Sequence, residues 1–281
     1  MIFPHYFHLF GRALHPHPVM ELIAYSGGFQ IYLYLRRRTA RLHPERPTVP
    51  FEQNMWIIVG AIFGALIGSK LLAWVESPLD YFPHWRNPQM WLGGKTIVGG
   101  LLGGWVGVEI AKKWVHIHRS TGDLYVFPLI FGMAIGRVGC FLTGLDDHTC
   151  GTFTNLPWAV NFGDGPRHPT QLYDILFLSI FGLILLARSR RPYPNGLLFR
   201  AFMLGYLLYR FSIEFLKPRY HPWLGLSAIQ IACLISAAIC ALLIRRMYFV
   251  RSVLADGIVA NPESIRDQNN PTTGIDRSRS S

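Results

Sequence analysis

The sequence predicts an all-α integral membrane protein with seven transmembrane helices, and three observations carry that prediction. The 281 residues are 51% hydrophobic and only 15% charged, with a mean hydropathy of +0.25, a balance that suits one polytopic domain better than a soluble one. Apolar runs of spanning length recur seven times, near residues 18–35, 55–75, 92–111, 124–142, 171–187, 197–215 and 225–247. Basic residues gather at alternate ends of those runs. That clustering accounts for the net charge of +11 without nucleic acid, because no soluble domain remains to carry a basic stripe.

The first run is followed by Arg36, Arg37, Arg38, Arg41 and Arg46, the third by Lys112, Lys113 and Arg119, the fifth by Arg188, Arg190 and Arg191, and the seventh by Arg245, Arg246 and Arg251. The intervening loops are poorer in lysine and arginine, so the N-terminus is expected outside and the C-terminus in the cytoplasm. Before the first run, Met1 to Pro18 mixes histidine, proline and aromatics without the compact apolar region of a cleavable signal. The third run, Gly93 to Gly104, is glycine-rich enough for a broken or closely packed helix. Residues 1–255 form the expected membrane domain, and the polar stretch 256–281 is expected to be a disordered cytoplasmic tail.

Charges inside the runs are costly, and they mark function. Arg137 and Arg210 each lie about five residues from the outward end of their segments, roughly 7–8 Å below the same surface. Lys70, Lys95, Asp174 and Glu214 share that outer half, and Tyr25 sits roughly 10 Å into the first run. Four cations against two carboxylates leave two positive charges uncompensated, which suits an anionic ligand. Lys70 and Lys95 also fit a snorkelling role at helix ends. Gly136 and Gly139 flank Arg137 and open space beside its guanidinium, while Tyr206, Arg210 and Glu214 make one polar stripe at i, i+4 and i+8. Glu109, near the other face, is placed to pair with Lys112 or Lys113.

The loop Thr143–Thr170 is the longest between spans and is expected to be an ordered cap. Asp146, Asp147, His148 and His168 within it match no metal-ligand spacing, so no metal and no cofactor are expected. Cys233 and Cys240 read as packed residues of the last span. Cys140 and Cys150 are open to a disulfide, to packing, or, for Cys140 beside Arg137, to a reactive thiol.

Three motifs in order, Gly136-Arg137-Val138-Gly139-Cys140-Phe141, His168-Pro169-Thr170-Gln171-Leu172-Tyr173-Asp174 and Tyr206 through Phe215, resemble the prolipoprotein diacylglyceryl transferase family. The resemblance runs from about Tyr25 to the final span. It implies seven spans in a bacterial inner membrane and transfer of diacylglyceryl from phosphatidylglycerol to the lipobox cysteine of prolipoprotein signal peptides, forming a thioether and releasing glycerol phosphate. Arg137 and Arg210 would engage the lipid phosphate, and Tyr25 and Tyr206 match functionally important family tyrosines. With His168 as candidate base, these form the expected catalytic set. Gly136, Gly139, Gly99, Gly100, Lys95, Gln171 and Glu214 join the two arginines as the expected substrate-binding set. Two positions depart from the family pattern: Val98 stands where it has histidine before Gly-Gly-Leu, and Cys140 where it has asparagine. Valine cannot take a proton, so a related transferase with a non-lipoprotein acceptor, and a non-catalytic lipid-binding or transport protein, stand as the other readings.

Overall fold

The computed structural model describes residues 3–9, 11–42, 49–81, 83, 93–218 and 225–260. Seven long helices appear among them: α1 Pro16–Leu42, α2 Phe51–Glu76, α3 Ile97–Trp114, α4 Val126–Thr143, α5 Thr170–Ser189, α6 Leu197–Glu214 and α7 Ala228–Ala260. They correspond one to one with the seven apolar runs. Two compact units divide the chain after Cys240, and the candidate site described below lies in the first. The last helix continues to Ala260, past the expected domain end, and residues 261–281 of the expected tail lie outside the described residues.

Four helical stretches are long and apolar enough to cross a membrane on composition alone: Phe51–Glu76, Gly122–Asp147, Thr170–Ser189 and Ala228–Ser252. The other three long helices are α1, α3 and α6. Arginines crowd the end of α1, α3 carries Glu109, Lys112 and Lys113 in its last turns, and α6 carries Arg200, Arg210 and Glu214. Those charges hold the three helices below that mark, and of them Arg210 and Glu214 of α6 belong to the buried cluster described below.

Helices α2 and α3 pack antiparallel along a glycine seam. A Cβ on Gly60, Gly64 or Gly68 would strike the backbone of Gly107, Gly103 or Gly99 in turn, and the clashes are reciprocal. In a bilayer, where apolar side chains gain nothing by leaving lipid, such backbone contact is what holds two helices together. The seam explains the glycine-rich third run as a closely packed helix, not a broken one. Its helix starts at Ile97, so Lys95 lies before the helix rather than within it; Thr96, in extended backbone, bonds Ser69 through both its amide and its hydroxyl. The Glu109 pairing falls on Lys112, at 3.0 Å.

Polar groups fix the helix ends. Asp123 accepts the amides of Gly196 and Phe199, at 2.6 and 2.9 Å, and so caps the start of α6 from a distant point in the chain. Ser227 and Gln230 exchange side-chain to backbone bonds in a capping box at the start of α7, where buried Glu76 takes the Ile229 amide. Gly144 ends α4 at φ +75°, a conformation that favours glycine, with Phe3 filling the space a side chain would need. The buried core runs through Val98, Val126, Ile130, Leu178, Phe202, Met203, Leu207 and Ile229.

The long loop is ordered, as expected. The short strands Val160–Asn161 and Pro166–Arg167 form a hairpin, and Arg167 holds Asp164 at 2.6 Å while stacking 3.9 Å over the Phe153 ring. An N-terminal hairpin, Phe7–Leu9 with Arg12–Leu14, has no counterpart among the sequence expectations.

Candidate active site

Arg137 and Arg210 come from α4 and α6, and both are buried. Each is held by a carboxylate. Arg137 Nε meets Asp174 Oδ2 of α5 at 2.7 Å, and the other oxygen of Asp174 accepts the Tyr209 hydroxyl at 2.8 Å. Arg210 Nη1 meets Glu214 Oε2 one helical turn on, at 2.5 Å. Tyr206, fully buried between them, lies within electrostatic range of both arginines. Buried charges persist only when paired in this way, and the pairing holds both guanidiniums at defined positions.

A third cation joins them that sequence reasoning missed. Lys217, just past the end of α6, is 3% exposed and has no hydrogen-bond partner for Nζ among the described residues. Burial, and then the positive charges of Arg210 and Arg137, push its pKa well below the usual lysine value, against the pull of Asp174 and Glu214. Its place just beyond the sixth apolar run hid it; the signal was the phase of the α6 stripe, which Lys217 continues three residues after Glu214. Lys70 and Lys95, counted with the arginines from sequence, belong elsewhere: Lys70 donates to the Gly93 carbonyl at 2.7 Å, and Lys95 is exposed. With the Lys217 pKa lowered, the buried cluster sets Arg137 and Arg210 against Asp174 and Glu214, one carboxylate to each guanidinium, and the excess of two positive charges expected from the sequence is not found there.

The glycines divide by role. Nothing lies within 4 Å of a Cβ built on Gly136, so space does open beside Arg137. On Gly139 a Cβ would strike the Met20 Cβ at 2.9 Å, with the His17 Cα at ordinary contact distance, so this glycine lets α1 approach α4 closely. Gly99 sits in the α2–α3 seam, and Gly100 is loosely surrounded. Tyr25 stands 71% exposed on α1. Gln171 is fully buried at the start of α5 and donates to Thr149 Oγ1 and Cys150 Sγ.

His168 is half-buried in the loop. Its Nδ1 lies 3.2 Å from the Tyr173 hydroxyl, which also accepts Trp158 Nε1 at 2.7 Å, and its backbone bonds Gly151 and Thr152. These contacts fix the turn into α5. Cys140 and Cys150 are both free and buried, so the disulfide open from sequence is not formed. Cys140 Sγ lies 3.8 Å from Arg137 Nη1, while Cys150 points to the Gly144 carbonyl and Gln171. Val98 is a core residue, 1% exposed, with no polar atom to offer.

Two buried cations, each paired with a carboxylate and one of them with open space beside it, therefore stand in the helical domain of a chain that resembles known proteins along most of its length. The chain is 33% identical over 220 residues to a protein of Polynucleobacter asymbioticus, covering 73% of this chain and 79% of that one. It is 31% identical over 232 residues to one of Geobacter sulfurreducens, covering 77% and 84%. Both relatives bear the name phosphatidylglycerol–prolipoprotein diacylglyceryl transferase. A family model described as prolipoprotein diacylglyceryl transferase matches residues 4–246, from the first hairpin into the last helix. With the paired arginines in the segments that resembled it from the start, the chain belongs to the prolipoprotein diacylglyceryl transferase family.

Proposed function

We propose that this membrane enzyme draws phosphatidylglycerol into the space beside Gly136, seats its phosphate on Arg137 and Arg210, and passes the diacylglyceryl group to the lipobox cysteine of a prolipoprotein signal peptide. The observation that carries this is the pair of buried guanidiniums, each oriented by its own carboxylate. Breaking the carbon–oxygen bond to phosphate leaves negative charge on the departing glycerol phosphate. Planar guanidinium forks bind phosphate oxygens two at a time, and fixed donors stabilise developing charge without first having to reorganise. The cavity opens on the outer side of the inner membrane under the basic-loop topology, where signal peptides present their lipobox.

Purified enzyme given phosphatidylglycerol and a lipobox peptide should yield peptide bearing a diacylglyceryl thioether. Arg137→Ala and Arg210→Ala should each lower transfer at least ~100-fold, as the loss of a charge-stabilising donor does. Removing one member of a buried pair costs roughly 3–5 kcal/mol of stability, so Arg137→Lys is the cleaner variant: it keeps a charge for Asp174 and loses the fork. Near-normal turnover in inserted Arg137→Lys would reject the bidentate phosphate role, and phosphatidylglycerol binding without peptide modification in the wild type would favour a different acceptor.

A further inference from the structure

Three chemically different donors meet where α1 packs on α4. His17 lies in the first turn of α1, Cys140 in the last turn of α4, and Asp147 ends the 3-10 turn Gly144–Asp147; one donor atom from each lies within 4.8 Å of the others. Gly139 makes the meeting possible, because a side chain there would push the His17 end of α1 away. A tetrahedral zinc ion holds nitrogen, sulfur and oxygen ligands roughly 3.2–3.8 Å apart. His17 Nδ1 and Asp147 Oδ1 already stand at 3.4 Å.

The groups behind these donors have the arrangement that metal ligands require. The other ring nitrogen of His17 faces Glu21 Oε1 at 3.3 Å, which leaves Nδ1, on the Asp147 side, as the donor. The second oxygen of Asp147 accepts the Thr149 hydroxyl at 2.5 Å, and that hydroxyl accepts Gln171 Nε2. Carboxylate behind histidine and hydroxyl behind carboxylate are the contacts that orient such ligands. A Cys140 thiolate and an Asp147 carboxylate offset the two charges of the ion. One sulfur, one imidazole and one carboxylate suit zinc better than magnesium or calcium.

We propose that His17, Cys140 and Asp147 form a zinc site whose fourth position takes the thiolate of the acceptor cysteine. The inference rests on the transferase reading and gives it the thiol activation that Val98 cannot supply. A thiol bound to zinc gives up its proton outright, here to water at the mouth of the site. The sulfur then bonds to the glyceryl carbon, the bond from that carbon to the phosphate oxygen breaks, and the electron pair leaves on glycerol phosphate. Arg137, 3.8 Å from Cys140 Sγ, places phosphate and thiolate side by side. Three protein ligands and an open fourth position are the pattern of catalytic zinc. No spacing along the chain announces such a site, because its members come from three separate elements.

The test uses the full-length protein in nanodiscs, stripped with a chelator and reloaded with zinc or cobalt alone. One zinc per chain is expected, and cobalt should give a thiolate charge-transfer band that disappears in Cys140→Ser. Glu21→Gln keeps all three ligands and should weaken zinc binding about 10- to 100-fold. Lipobox peptide should change the cobalt spectrum, and a peptide with serine at that cysteine should not. Absence of the band, or its survival in Cys140→Ser, overturns the site. Transfer that proceeds at an undiminished rate in stripped protein overturns the role of zinc and leaves the transferase reading standing. A cobalt spectrum that answers to the peptide thiol, in protein that never makes product, supports the site and overturns the transferase reading instead.

Discussion

Arg137 pairs with Asp174 through Nε and turns Nη1 toward Cys140, so under the proposed function its terminal nitrogens are the ones that meet phosphate. Asp174 is held in turn by Tyr209, whose ring stacks 3.9 Å from that of Phe177. A chain of packed groups thus sets the guanidinium before substrate arrives. His168 belongs to a different set, bonded to Tyr173 and the loop backbone. His168→Gln should therefore retain transfer within about threefold, with any loss traced to the turn before Pro169; a loss of ~100-fold at normal lipid binding would return His168 to the role of base, since a positioned base contributes about that much. Lys217 supplies a pH signature. Its folded pKa lies below the unfolded value near 10.4, so between the two the unfolded chain binds more protons and stability rises with pH. Wild-type protein should melt at higher temperature as pH rises from neutral toward ~10, and Lys217→Met should flatten that rise. An unchanged slope in the variant would show that Lys217 is charged in the folded state.

At the scale of elements, α2 and α3 present backbone to backbone at three successive levels: Gly68 with Gly99, Gly64 with Gly103, and Gly60 with Gly107. Any side chain there must force the helices apart. Gly64→Leu should cost at least ~1–3 kcal/mol, as overpacking does, and should lower the melting temperature in detergent, whereas Gly100→Ala, with its nearest atoms 3.8 Å away, should leave it within a degree or two. Equal melting of the two variants would show the seam to be loose. The glycine content left a broken or a closely packed helix open and named no partner, because glycine periodicity has no direction until a second glycine helix is placed beside it. The polar stripe on α6 was legible for a simpler reason: Tyr206, Arg210 and Glu214 recur at helical spacing on an apolar background, so their shared face follows from the period alone. What could not be read was contact between elements, such as Asp174 with Arg137, or His17 with Cys140 and Asp147.

Under the seven-span topology expected from the sequence, the basic loop ends all lie on one face, which the positive-inside rule assigns to the cytoplasm. Reporter fusions after Arg38 and Arg191 should appear cytoplasmic, and one near Gly151 should appear external; an external signal at Arg191 would reverse the topology and close the site to exported signal peptides. The family, the seven helices and the two arginines were all legible, since hydropathy and buried charge survive without tertiary knowledge. Lys217 was not, because it stands just outside an apolar run and draws its unusual character from neighbours on other helices. The Asp123 cap on α6 bears on the site from its far end. Phe199, whose amide it holds, and Arg210 are separated by roughly 16 Å of helix, so α6 acts as a lever pivoting on one carboxylate. A tilt of ~10° at that pivot would carry the Arg210 end sideways by nearly 3 Å over that length, about the length of a hydrogen bond. A disturbance at the Asp123 cap would thus be enlarged by the length of α6 before it reached Arg210, although Asp123 itself holds only the far end of that helix.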